Sequence, residues 1–184
     1  ARTVLAAFSS DEPASGQFSL LPQKPVTVFP LENPQFTADG RSYFATVDQL
    51  GALEGGASPL LAAIDRTLDF AAADPQQDAK ALVVVTNGRD DTCGTRSECR
   101  SILDALVQKS KATGVAIVAV GLGDAAGTAD HEVLGVLSQG TANGAAYWAS
   151  NPKQLTMVLG DVHSFLARSK DTLEVAFRIQ SPVV

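Results

Sequence analysis

The residue types and spacing that suit chemistry stand together in Thr86-Asn87-Gly88-Arg89-Asp90-Asp91, directly after the apolar run Ala81–Val85. The stretch brings a hydroxyl, a neutral amide and two carboxylates into one short loop. It holds no His and no nucleophilic Cys, so acid–base or acyl-transfer chemistry lacks its usual groups there. A metal site would prefer a carboxylate where Asn87 stands. Asn87 is open to two readings, an orienting amide or the turn residue that Asn-Gly favours. Asp90 and Asp91 are likewise open, as acids that restore a lost charge or as solvated residues of a polar loop.

These side chains need a frame. A run such as Ala81–Val85, ended by turn residues, reads as a strand buried on both faces. A helix is expected over Glu98–Ala112, with Ile102, Leu103, Leu106 and Val107 on one face and Gly114 as its stop. Val115–Val120 follows as a second apolar strand, completing a parallel βαβ unit. Upstream, Ser58-Pro59 reads as an N-cap and first helical residue before Leu61, Ile64 and Leu68, with Asp74-Pro75 as the end. Downstream come a short helix over Asp130–Ser138, a strand at Ala145–Ala149 and a last helix opened by Asn151-Pro152. Thr172–Ile179 alternates with period two, which predicts a half-exposed, antiparallel strand. Thr3–Phe8 and Val26–Phe29 read as short strands, the second a Pro-framed edge strand, and Leu31–Gly40 as a loop. Ligands of open α/β sheets sit at the carboxyl ends of the strands, where Thr86–Asp91 lies.

The chain has 184 residues, 45% hydrophobic and 18% charged, with a net charge of −6. That length suits one domain, which buries roughly 70% of its unfolded surface and needs no staples. The acidic balance and the lack of a Lys/Arg run argue against nucleic acid or anionic membrane as partners. No apolar run reaches the ~18 residues of a membrane span, and no signal peptide is visible. The first residue is Ala, which suggests a mature product or an excised piece. Cys93 and Cys99, in TCGTRSEC, lie in a polar segment after the strand. Too few ligands stand nearby for a metal, so a local disulfide is expected, worth about 2 kcal/mol in the chain-entropy model. A disulfide places the chain outside the cytoplasm, as a secreted, periplasmic or surface protein.

Neither a GxSxG elbow nor a GxxxxGK[ST] loop occurs, so hydrolase and nucleotide-dependent readings have no anchor. Gly121–Gly127 lacks the spacing of a dinucleotide loop. His131, His163, Tyr147 and Trp148 read as packing or surface residues.

GGASPLLAAID, then KALVVVTNGRDD, GVAIVAVGLG and AAYWASNPKQL resemble, in order and spacing, the von Willebrand factor A domain. The resemblance covers Thr3–Arg168. It implies a doubly wound α/β fold, with a mostly parallel sheet and helices on both faces. Residues 1–168 would form that domain and 169–184 a C-terminal strand extension. It also implies a non-catalytic protein-interaction or adhesion module, the alternative being a purely structural domain that binds no ion.

The family commonly holds a divalent cation such as Mg²⁺, a hard ion that takes oxygen ligands. Three loops build that site: an Asp-x-Ser-x-Ser, a Thr after paired glycines, and the Asp of a Thr-Asp-Gly. Here Ser58 matches the second loop, as a ligand or only as the helix cap. Asn87 matches the third, replacing a charged ligand with a neutral one. The first loop has no counterpart. The resemblance therefore implies a degenerate or absent cation site, with Ser58, Asn87, Asp90 and Asp91 as the binding residues and Ser58 and Asn87 as the metal candidates. It also makes Thr3–Phe8 the family's second strand. The first strand and helix, about 30 residues, would leave a vacant lane between Thr3–Phe8 and Ala81–Val85. A preceding segment or another chain is expected to fill it.

Overall fold

The structure, a computed structural model, describes residues 3–7, 58–76, 79–91, 93–123, 130–141, 143–168 and 172–178. The expected Val26–Phe29 strand, the 31–40 loop and the paired glycines Gly55-Gly56 lie outside them.

Two apolar strands make the centre. β2 (Ala79–Thr86) and β3 (Val115–Leu122) run parallel, with Val83 opposite Val118. Parallel neighbours need a crossover, and α2 (Arg96–Thr113) provides it. β4 (Ala145–Ala149) adds to β3 in the same direction. Both faces are covered. α1 (Leu60–Ala73), α2 and α3 (His131–Gln139) share a core with Leu82, Val84, Ile117 and Ala119. α4 (Pro152–Arg168) packs Val162 and Leu166 on the opposite face, against Val83, Val85, Val118 and Val120. This is the doubly wound α/β architecture that the sequence implies.

The helix ends follow local chemistry. α2 starts two residues earlier than its apolar pattern suggests, because Thr95 and Glu98 form a capping box. Gly114 stops it in the left-handed region at φ 70°. Asp130 caps α3, its Oδ1 accepting the Val133 N–H at 3.0 Å. Asn151 caps α4, its Oδ1 accepting from the Gln154 N–H, with Pro152 at the first helical position. α1 lacks a basic residue in its last turn, and Lys80 of β2 replaces one. Its Nζ donates to the Ala71 and Asp74 carbonyls at 2.8 Å each.

The C-terminal strand departs from expectation. β5 (Thr172–Arg178) is parallel, not antiparallel, and lies between β1 (Thr3–Ala7) and β2. The sheet order is β1-β5-β2-β3-β4. The lane beside β2 thus exists, and the chain's own last strand fills it. Period two correctly identified a strand, but alternation carries no information on direction.

Lys109 ties α2 to α1 by donating to Asp65 Oδ1 at 2.5 Å and lying 2.8 Å from Asp69 Oδ1. Burial draws its pKa down, but the hydrogen bonds and charges of Asp65 and Asp69 outweigh this and hold it above the ordinary lysine value. A raised folded-state pKa gives stability that is full below the unfolded value and lost as pH rises through the folded one. The aspartates are half or more exposed, so Lys109→Met should cost only ~0.5 kcal/mol at neutral pH. Urea denaturation of both proteins across alkaline pH checks this. The difference should vanish only in strongly alkaline solution.

Candidate functional site

The candidate site lies at the carboxyl edge of the sheet, where β2 gives way to the loop 87–91. Thr86 is fully buried and spends its hydroxyl locally, accepting the Gly88 N–H at 3.0 Å. Asn87 Oδ1 accepts the Arg89 N–H at 3.1 Å, an Asx turn. The Asn87 carbonyl accepts the Asp130 N–H at 2.8 Å, which ties this loop to the start of α3. Gly88 has φ +84°, and a Cβ there would meet the Asp130 carbonyl oxygen at 2.9 Å. Backbone conformation and space both demand glycine at that position.

Ser58 and the two acids form a second tie. The Ser58 N–H donates to Asp91 Oδ2 at 3.1 Å, and the Asp91 N–H returns to the Ser58 carbonyl at 2.9 Å. Ser58 itself is 5% exposed, and its hydroxyl donates to the Arg89 carbonyl at 3.2 Å. The expected Ser58 cap is therefore absent. The cap position falls on Pro59, with no capping side chain of its own. Asp90 takes over from across the fold. Its Oδ2 accepts the Leu61 N–H of α1 at 2.6 Å, and its Oδ1 accepts the Cys93 N–H at 3.0 Å. A carboxylate at a helix N-terminus also meets the positive end of the helix dipole. The reading of Asp90 as a merely solvated acid fails for this reason. Asp91 combines its amide partner with an exposed approach to Arg89 at 3.9 Å.

Cys93 and Cys99 are bonded to each other, as the sequence predicts. The bridge spans the α2 cap and joins the loop that starts at Asp90 to the first turn of α2. Among the described residues, no group of three or more His, Cys, Asp or Glu is placed to hold a metal ion. Ser58, Asn87, Asp90 and Asp91 do meet at one edge of the sheet. Their hydrogen bonds to backbone amides lock these loops together.

Sequence reasoning missed Asp130, which caps α3 and anchors Asn87. The Thr95-x-x-Glu98 box was readable from spacing alone. It also missed the use of Gly121 on β3. A Cβ there would collide with Cζ3 and Cε3 of Trp148. The indole lies across that gap and stacks on His131, with ring centroids 3.8 Å apart. Sequence spacing offers no signal for that pair, which depends on how β3 and β4 align.

The family model for the von Willebrand factor type A domain matches residues 6–161. The chain belongs to this family. Comparison with curated proteins and with solved structures returns no match.

Asp90 satisfies two backbone amides, so Asp90→Ala should destabilise the domain by about 1–2 kcal/mol. Asp91→Ala, which loses one backbone amide and an exposed ion pair, should cost less than Asp90→Ala. Denaturant midpoints of the two variants measured side by side decide the order. Gly121→Ala should expel the indole at a cost of about 1–3 kcal/mol. Trp148 is the chain's one tryptophan, so an unchanged emission spectrum in that variant would contradict the packing described.

Proposed function

We propose that this von Willebrand factor A domain is a non-catalytic protein-interaction module of an extracytoplasmic protein, with a degenerate cation site that does without a divalent ion. The observation that carries the reading is the use of the acids. Asp90 and Asp91, the residues able to replace the charge absent at Asn87, bind the amides of Leu61, Cys93 and Ser58. The loops that a cation would organise are held by the protein itself.

The family supports the interaction role, since its domains generally bind other proteins. The Cys93–Cys99 bridge supports an oxidising compartment. Exposed Arg89 and Asp91 stand at the rim, and a partner would meet a mixed-charge surface there. The described helices include none long and apolar enough to cross a membrane.

Calorimetry and thermal melts with Mg²⁺, Mn²⁺ and Ca²⁺ test the cation-free reading. A ligand that binds only the folded state raises its stability by RT ln(1 + [L]/Kd). Millimolar Mg²⁺ should leave the melting temperature unchanged. Asn87→Asp alone should not create binding, because one ligand does not make an octahedral site. Saturable, stabilising Mg²⁺ binding by the unmodified chain would overturn the reading. The bridge has its own check. Thiol alkylation under denaturing, non-reducing conditions should leave the intact mass unchanged.

A further inference from the structure

The sequence holds two Asn-Gly pairs, Asn87-Gly88 and Asn143-Gly144. Such a pair carries its own chemistry, because glycine has no Cβ to shield its nitrogen from the preceding side-chain amide. The fold demands glycine in both. A Cβ at Gly88 would press on the Asp130 carbonyl oxygen, and one at Gly144 would collide with the Ser138 carbonyl oxygen and the Thr141 hydroxyl. Asn143 enters its pair at φ 60°, a left-handed conformation that asparagine tolerates better than most residues. The turns themselves thus create the reactive pairs.

The two pairs are held differently. The peptide unit that joins Asn87 to Gly88 is fixed at both of its polar atoms. Its carbonyl accepts the Asp130 N–H at 2.8 Å, and its N–H donates to the buried Thr86 hydroxyl at 3.0 Å. The Asn87 side chain is held as well, by the Arg89 N–H. The Gly144 N–H has only a 3.4 Å approach to the Thr141 carbonyl, at the long end of hydrogen bonding. Asn143 is exposed, and among the described residues no hydrogen bond holds its side chain.

We propose that Asn143 is a site of spontaneous deamidation in the folded protein, and that the ties on Asn87-Gly88 spare Asn87. The Gly144 nitrogen gives up its proton to solvent and attacks Asn143 Cγ. An N–Cγ bond forms, the Cγ–Nδ2 bond breaks, and Nδ2 takes a proton and leaves as ammonia. Water then opens the succinimide at either carbonyl, giving aspartate or its β-linked isomer, with nothing oxidised or reduced. Position 143 gains a negative charge at the entry to β4, and the isomer adds a backbone carbon beside the tightly packed Gly144. At Gly88 the same first step strips a proton from a buried hydrogen bond, so it waits on local opening of the loop. Asn87 remains the neutral amide. The proposal concerns the reactivity of the two pairs and is independent of the cation-free reading.

Peptide mapping by mass spectrometry tests it on the unmodified chain, held in mildly alkaline buffer with its disulfide intact. The readout is the amide-to-acid mass change at each asparagine. Asn143 should convert about ten-fold faster than Asn87 or more, because only Asn87 depends on local opening. In strong urea the two rates should converge, since the same dipeptide reacts in both. Hydrogen exchange should be slower at the Gly88 N–H than at that of Gly144. Thr86→Val removes the Gly88 acceptor and should raise conversion at Asn87 while leaving Asn143 unchanged. Should that variant not fold, the measurements on the unmodified chain decide alone. Asn87 converting as fast as Asn143 in the folded chain, an Asn143 that reacts only in urea, or a preference that persists in urea would each overturn the proposal. So would Gly88 exchanging as fast as Gly144, or a folded Thr86→Val variant with Asn87 conversion unmoved.

Discussion

A helix that begins at the carboxyl edge of a sheet presents amide groups with no partner in its own first turn. Their satisfaction is the constraint on which the rest of this edge depends. α1 opens with Ser58-Pro59, and the Pro59 ring can neither donate nor cap. The Leu61 amide must find an acceptor elsewhere, and Asp90 reaches it from the loop after β2. The reciprocal pair between Ser58 and Asp91 then fixes the approach of that loop on its other side. Two adjacent acids, separated from Ser58 by about thirty residues in sequence, join the loop after β2 to the start of α1.

The same loop is fastened at its remaining ends. Asn87 hands its carbonyl to Asp130, so the start of α3 is tied to β2. Cys93 donates its amide to Asp90 and its sulfur to Cys99, so the start of α2 is tied to it as well. Three helix N-termini meet one loop. A neutral Asn87 is compatible with this arrangement because its amide oxygen closes an Asx turn. That task needs an acceptor rather than a charge. An Asp would perform it equally well, so the turn does not require Asn.

The parts of this fold that sequence made legible are those governed by local periodicity. The runs Ala81–Val85 and Val115–Val120, the helical spacing of Leu61, Ile64 and Leu68, the Gly114 stop and the Asn151-Pro152 start each depend on a few neighbouring residues, and each appears where expected. The cysteine pair was legible because two thiols six positions apart in a polar segment have little else to do. Long-range contacts were not legible. Ser58-Pro59 has the look of a self-capped helix, and only the fold shows Asp90 supplying the cap from 29 residues away. Gly121 gave no hint of the indole that needs its missing side chain, since Trp148 arrives through the register of β3 with β4.

The direction of β5 shows most sharply what alternation can and cannot tell. Period two reports that a strand has unlike faces, and antiparallel sheets exposed on one side commonly have such strands. In this chain the topology leaves a lane beside β2, and a helix carries the chain back across the sheet before β5 begins. A strand that returns through a helix to the same edge enters in the same direction as its neighbours. Parallel pairing thus follows from the connection, whatever the side chains prefer. The conflict between that direction and the polar half of Thr172–Arg178 is a local preference set against global topology, which minimally frustrated sequences tend to avoid.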